Sequence, residues 1–398
     1  MTEGSAGRPR LLCLCEGDPE NPAKSGSGTP TSVIEHLRAR GATVTGADVD
    51  LVGPQRLVGA ALTYARDREV WRARYHIAPT VLRLRSRNAA AAVRRAHPPV
   101  DAVLQYGGTF GVGPEVGLPY FLYCDNNLLN SGRQPRSWVA QMPPAQGDAA
   151  VRWERGLYER AAGIFTFSEY VRRSFLADYG LSDERVVVVG SGPNLPLDRV
   201  PAGRPPRAPG HTPTVLFVGR DFEHKGGPVL LDAFRAVREA VPNARLLLVG
   251  PSRLDVDEPG VEFLGFLRKD NPADFARLLQ AYAEADVFCL PTRYESFGIA
   301  FLEAMWFGLP TVGPRHWAIP EMVEDGATGL LVEREDSRTY AECLLQLLSD
   351  DGRARQMGRR GRARAEARFS WGHVTAVMSD VIEGVLAGRG AGRRAHRT

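Results

Sequence analysis

Short apolar runs recur along the chain at a regular beat. RLLCLC at Arg10–Cys15, then 42–49, 100–104, 118–123, 163–167 and 186–189, are runs of strand length, and each predicts a strand. Helix-length stretches separate them. The first helix is expected to open near Thr29-Pro30, with threonine as the cap and proline at the first helical position. A second series with the same beat occupies 214–218, 244–249, 261–264, 286–290, 310–312 and 329–332. Strands alternating with helices predict parallel sheets. Between the series, PNLPLDRVPAGRPPRAPGHTP at 193–213 is dense in proline without periodicity and reads as a linker. The pattern predicts an α/β chain of two doubly wound halves, which would enclose a cleft between facing strand ends.

One segment departs from this pattern just past a strand end. ADVFCLP at 285–291 reads as a buried strand stopped by proline, and RYESFGIAFLE at 293–303 follows with two acids, Glu295 and Glu303. From Phe297 onward the residues predict a short buried helix ending at Gly308 and Pro310, which puts Glu303 inside it. A buried carboxylate must be paired or hydrogen-bonded. Ribose hydroxyls of a ligand could serve, and so could a structural ion pair to one of the many arginines.

Other motifs also sit at strand-to-helix turns. Gly219-Arg220 follows the strand at 214–218, and His224-Lys225-Gly226-Gly227 opens the next helix. A guanidinium, an ammonium and flexible glycines there suit a diphosphate, although a solvated loop can have the same composition. Ser296-Phe297-Gly298 begins the helix of Glu303, so its free N–H groups could hold a second face of the same phosphate. Gly26-Ser27-Gly28 fits a dinucleotide fingerprint poorly, because Thr31 stands where a third glycine belongs. It reads as a glycine loop facing the cleft. From Arg66 to Arg95 the chain carries nine arginines and two acids, with Val70, Trp71, Tyr75, Val81 and Leu82 interspersed. That is either a basic amphipathic surface for an anionic lipid or acceptor, or a plain solvated helix face.

Length and composition narrow the picture. A chain of 398 residues suits two domains of roughly 150 to 200 residues each. With 43% hydrophobic and 24% charged residues it is of soluble globular type, and a net charge of +4 gives no reason to expect nucleic acid. Lysine occurs only at Lys24, Lys225 and Lys269, so Lys225 in a phosphate-type turn stands out. The five cysteines, Cys13, Cys15, Cys124, Cys289 and Cys343, form no CxxC pair and are expected as free thiols in a reducing compartment. No apolar run approaches the ~18 residues of a spanning helix, so a cytoplasmic location is expected.

The motifs of the second half, in order, are VGRDFEHKGG, LLLVGPSR, VEFLGFL, ADVFCLPTRYESFGIAFLEAMWFGLPTV, IPEMVEDGATGLLV and FSW. Together they resemble the family-4 retaining glycosyltransferases of the GT-B fold, marked by an E-x7-E pair, which transfer sugars from nucleotide diphosphate donors. The resemblance implies that Glu303 binds the donor ribose and that Glu295 contacts the donor sugar near its reacting carbon. It implies that Arg220 and Lys225, beside Gly219, hold the diphosphate and stabilise the leaving charge. Ser296, Phe297 and Gly298 become the backbone phosphate cradle, and the base lies beside Gly265 and Phe266. In the first half, TFSEYVRRSFLADYGLSDERVVVVGSGPN looks like the family's domain-end motif, and Gly26, Ser27 and Gly28 like its acceptor-side loop. Two departures stand out. Cys124-Asp125-Asn126-Asn127 replaces a His-Asp step, which leaves Asp125 as the acceptor or sugar contact, and Gly313-Pro-Arg-His-Trp317 replaces a Gly-Gly step.

The expected organisation is an acceptor-side Rossmann-like domain at 1–195, a linker at 196–213 and a donor-binding Rossmann-like domain at 214–370. At 371–398 a helix packing back on the first domain and a disordered arginine-rich tail are expected. The expected activity is retaining transfer of a sugar to an acceptor hydroxyl in secondary-metabolite, glycolipid or polysaccharide biosynthesis. It would proceed by front-face substitution, with the leaving diphosphate taking the acceptor proton. No metal is expected, because Asp48-Val-Asp50 and Asp255-Val-Asp257 both lie away from the phosphate turn. The expected partners are a nucleotide-sugar donor, a small-molecule or lipid-linked acceptor and a membrane surface met through Arg66 to Arg95. The alternatives are a sugar-nucleotide epimerase or sugar phosphorylase of the same fold, or an inactive sugar-nucleotide-binding protein.

Overall fold

The computed structural model describes residues 8–395 except 23, 26–27, 135–136, 138, 141, 252–257 and 334. The chain forms two compact units, Met1–Gly190 with Trp371–Thr398, and Ser191–Ser370.

In the first unit the strands are β1 (Arg10–Cys15), β2 (Thr43–Asp48), β3 (Ala102–Tyr106), β4 (Tyr120–Cys124), β5 (Gly163–Thr166) and β6 (Val186–Val188). All pair in parallel, in the order β2-β1-β3-β4-β5-β6. Between them run α1 (Thr29–Ala39), α2 (Gly53–Leu62), α3 (Arg68–Ile77), α4 (Pro79–Arg95), α5 (Leu128–Gly132), α6 (Pro144–Arg160) and α7 (Glu169–Tyr179). The interior strand residues are buried on both faces, as in Phe121, Leu122 and Tyr123 of β4, which is why the strands read as continuous apolar runs. The cap of α1 is Gly28, at φ 89°, rather than Thr29, which is the first helical residue. Glycine reaches this left-handed conformation without the Cβ clash that threonine would meet.

The second unit repeats the plan. Its strands are β7 (Thr214–Val218), β8 (Arg245–Val249), β9 (Val261–Gly265), β10 (Val287–Cys289), β11 (Thr311–Pro314) and β12 (Gly329–Val332), all parallel, in the order β12-β11-β10-β7-β8-β9. Counted from β7 this is the 3-2-1-4-5-6 order of dinucleotide-binding sheets. The helices are α8 (Gly227–Ala240), α9 (Pro272–Glu284), α10 (Ile299–Trp306), α11 (Ile319–Met322), α12 (Ser337–Ser349) and α13 (Asp351–Arg368). The chain then returns to the first unit as α14 (Trp371–Ala395), which packs on α1. The tail expected to be disordered instead continues α14 as far as Ala395, in keeping with the helix preference of alanine and arginine; residues 396–398 lie outside the described residues.

The proline-rich stretch read as a linker packs on the second unit. Asp286, fully buried at the foot of β10, gathers it in. Its carboxylate accepts from Arg204 Nη2 at 3.2 Å, Arg207 Nε at 2.9 Å and the Thr214 amide at 2.8 Å, and it meets His211 Nε2 at 2.7 Å. Burial would raise this carboxyl, but the bonds from His211 and Thr214 and the arginine charges hold it below the usual carboxylate value. A depressed acid stabilises the fold above its unfolded value and loses that contribution as pH falls. Asp286→Asn should therefore cost about 3 kcal/mol near pH 7 by leaving buried cations unpaired. The penalty should shrink as pH drops below the ordinary value of 3.8. Urea denaturation of variant and wild type across pH 3 to 7 measures both; equal stability at neutral pH would remove the hub.

Candidate functional site

In the second sheet the strand order reverses between β7 and β10, and ligands of such sheets sit outside the carboxyl ends at that point. Both ends carry the residues singled out above. After β7, at Gly219 and Arg220, the chain makes a tight turn into α8. The Lys225 amide donates to the Asp221 carbonyl and the His224 amide to Asp221 Oδ1, both at 2.9 Å. Gly226 sits at φ 73°, and a Cβ there would lie 1.9 Å from the Pro291 carbonyl oxygen. Only glycine lets the turn press against the end of β10. The Arg293 amide, donating to the His224 carbonyl at 3.1 Å, fixes the same contact.

This packing brings Lys225 and Glu295 together. Lys225 Nζ donates to Glu295 Oε1 at 2.5 Å, with both side chains largely shielded. Arg220 is exposed and stacks its guanidinium 5.4 Å from the ring centroid of Phe266. That ring is 58% exposed just past Gly265, the last residue of β9. Such a cation–π contact gives an otherwise solvated arginine a preferred direction. The predicted diphosphate cation and the predicted base-side aromatic are therefore neighbours.

Glu303 is 3% exposed within α10. Of the alternatives left open for it, the ion pair is present, but with a lysine. Lys269 Nζ donates to Oε1 at 2.6 Å and the Tyr282 hydroxyl to Oε2 at 3.0 Å. Burial first, and then the Glu303 charge, push the Tyr282 hydroxyl well above its usual value, so it stays a donor. Lys269 and Tyr282 went unassigned in the sequence. The available signal was scarcity, since Lys269 is one of three lysines.

The start of α10 is shaped by Gly298 at φ 101°, where a Cβ would come within 2.8 Å of Ile319 Cδ1. Ser296 is half-buried, while the Phe297 ring is buried 6.0 Å from that of Phe369. Phe297 can thus offer only its backbone to a ligand. In the loop that replaces the Gly-Gly step, Trp317 takes φ 63°, the one positive φ outside glycine among the described residues. Its ring packs on Tyr294 at 5.4 Å, and the next amide, of Ala318, donates to the Glu295 carbonyl at 3.3 Å. Strained backbone beside a paired carboxylate is typical of functional loops.

In the first sheet the switch lies between β1 and β3. Glu16, just past β1, hydrogen-bonds the Thr109 hydroxyl beyond β3 and pairs with Arg85 Nη2 at 2.7 Å. Arg85 is 1% exposed and also reaches Asp50 Oδ1 at 3.0 Å. This cluster has no contiguous sequence motif and was missed. Gly28 caps α1, and Asp125 is exposed just past β4, so β3 separates the strands that lead to them. Gly26 and Ser27 lie outside the described residues. Cys124 is fully buried, and burial raises its thiol well above the usual value, so it packs as an apolar group. Asp255 and Asp257 also lie outside the described residues. Among the described residues no group of three or more His, Cys, Asp or Glu is arranged to hold a metal ion.

The surface expected between Arg66 and Arg95 needs correction. Val81 and Leu82 are buried, Trp71 donates its indole N–H to the Ala60 carbonyl at 3.0 Å, and Arg85 is interior. The apolar side of α3 and α4 therefore faces the core. The exposed apolar residues lie on and beside α2 instead: Leu57 is 72% exposed, Leu62 66% and Tyr64 63%. Among the described residues no helix is long and apolar enough to cross a membrane.

Comparison with known proteins matches these features. Residues 212–350 fit the family model described as glycosyl transferases group 1. The chain is 34% identical over 280 residues to a D-inositol 3-phosphate glycosyltransferase of Nocardia farcinica, covering 63% of this chain and 61% of the relative. It is 33% identical over 188 residues to a GDP-mannose-dependent monoacylated alpha-(1-6)-phosphatidylinositol monomannoside mannosyltransferase of Corynebacterium glutamicum, covering 43% and 47%. The matched part thus spans about three fifths or less of these relatives. Among solved structures, a sucrose-phosphate synthase from Thermosynechococcus elongatus superposes with a TM-score of 0.69 at 20% identity, covering 96% of this chain and 100% of that one. The two parallel six-stranded sheets are those of the GT-B fold, and residues 212–350 belong to the glycosyl transferases group 1 family.

Proposed function

We propose that the chain is a retaining glycosyltransferase that moves a sugar from a nucleotide diphosphate donor to an acceptor hydroxyl. The observation that carries this reading is the Lys225–Glu295 pair at the β7/β10 switch point, with Arg220 and the start of α10 alongside. On this reading Lys225 and Arg220 take the diphosphate, the amides at Ser296 to Gly298 hold its other face, and Glu303 meets the ribose. Glu295, released as Lys225 turns to phosphate, faces the sugar. The bond from the anomeric carbon to the diphosphate breaks, the acceptor oxygen bonds to that carbon from the same face, and the acceptor proton passes to the leaving diphosphate. Positive charge aimed at the departing group stabilises the transition state more than the ground state. No metal is required in this scheme. Gly28 and Asp125 are assigned to the acceptor, together with Gly26 and Ser27.

The relatives' names bear on the acceptor: one acts on D-inositol 3-phosphate, another on a phosphatidylinositol monomannoside. A hydroxyl-rich acceptor, free or lipid-borne, is the corresponding proposal here. If it is lipid-borne, the exposed face of α2 meets the membrane, with Arg56, Arg66, Arg68 and Arg72 exposed nearby for anionic head groups.

Two experiments test this reading. Donor binding followed by thermal shift against UDP, GDP, ADP and dTDP and their sugars should single out one base. Lys225→Ala and Glu303→Ala should each cut kcat/KM tenfold or more, about 1.4 kcal/mol upward, and activity should survive EDTA. Wild-type kinetics in both variants would take these residues out of the site, and loss of activity in EDTA would overturn the metal-free scheme. Separately, the paired change Leu57→Asp and Leu62→Asp should reduce cosedimentation with phosphatidylglycerol vesicles at least fivefold. Undiminished cosedimentation would assign membrane contact elsewhere.

A further inference from the structure

The first unit holds a second concavity that the proposed transfer does not use. It lies between α4, α6 and the loop between β3 and β4, with a volume of about 260 Å³. That is below the roughly 300–1,000 Å³ of sites for drug-sized ligands. Arg83, Arg87 and Arg94 line it from one face of α4, at a spacing that stacks them along the helix. Arg160, the last residue of α6, lines it from the other side.

Two features set these arginines apart from a solvated helix face. Other arginines of the chain, such as Arg10, Arg85 and Arg364, are paired with acids, yet among the described residues none of these four forms an ion pair, and the lining includes one carboxylate, Glu115. Gathering guanidinium groups around a small hollow costs repulsion unless an anion compensates. The second feature is Trp153, which lines the same hollow and whose indole nitrogen is buried without a hydrogen-bond partner among the described residues. An indole N–H can only donate, and leaving it buried and unmet is costly. Guanidinium donors line the hollow from both helices. On the loop side, the Gly111 amide already donates to the Ser86 hydroxyl at 3.0 Å and is not available.

We infer that this hollow binds a phosphoryl anion, held by the forked guanidinium groups of α4 and Arg160 and by the Trp153 indole N–H. Planar guanidinium groups pair with phosphate oxygens two at a time, which selects phosphoryl oxygens over a simple halide. Arg94, in the last turn of α4, and Arg160, the last residue of α6, precede the amino ends of β3 and β5. The hollow is therefore apart from the carboxyl ends of the strands, where Asp125 lies. The phosphoryl group could belong to a soluble phosphate compound or to a phospholipid head group, and the hollow's chemistry is the same for both.

The test uses the full chain carrying Lys225→Ala, so that phosphate binding at the proposed donor turn is removed, and compares it with the same chain carrying Arg87→Gln and Arg160→Gln in addition. Both added changes fall on exposed side chains. Inorganic pyrophosphate binding is measured by calorimetry, and binding to phosphatidylglycerol vesicles by cosedimentation in the presence and absence of pyrophosphate. A tenfold or greater loss of pyrophosphate affinity in the arginine variant supports the site with a soluble ligand. A loss confined to vesicle binding supports it with a head group. Trp153→Phe, which removes the indole N–H but keeps an aromatic ring, should weaken whichever ligand binds by threefold or more. Unchanged affinity for both ligands in the arginine variant, or no measurable binding of either ligand by the parent chain, overturns the inference.

Discussion

Both sheets are entirely parallel, and parallel strands must be covered by helices on both faces. That constraint empties the strands of chemistry. The interiors of the central strands are given over to packing, so polar side chains that can meet a ligand gather at the turns where strands end. It also decides which ends matter. Where successive strands are added to opposite sides, two neighbouring turns diverge and leave room between them. In the second unit those turns are the ones after β7 and β10, and the sequence fills both with charge.

The same constraint explains why so much of the architecture was legible. A strand buried on both faces reads as an unbroken apolar run, and the strands at Arg10–Cys15, Thr214–Val218 and Gly329–Val332 fall where the runs predicted them. Their neighbours differ by a residue or two, as expected where hydrogen bonding rather than hydrophobicity ends a strand. The cap of α1 was misplaced because propensity favours threonine, whereas the backbone at Gly28 needs a conformation that propensity does not encode.

The candidate site was legible only in part, for a related reason. Contiguous motifs delivered Lys225, Glu295, Glu303 and Gly298. Partners contributed by other elements, such as Lys269 and Tyr282 on Glu303, carry no local signature. The arginine-rich stretch failed differently. Composition records how many cations a helix has but not which way it is turned, and Arg85 is drawn inward by Glu16 and Asp50. Exposed Leu57 and Leu62 were passed over because apolar residues on a helix are ordinarily assigned to its buried face.

The pairing of both site carboxylates with lysine in a chain of many arginines has a consequence of its own. A guanidinium fork is committed to the geometry of its partner, whereas an ammonium is a point charge whose three protons can be redirected by rotating a flexible stem. Lys225 and Lys269 are counter-ions of this redirectable kind. On the proposed reading, a diphosphate arriving here takes over a lysine that is already paired with a carboxylate. Association on that reading amounts to internal ion exchange, and its dependence on ionic strength should be shallower than the number of cations alone implies.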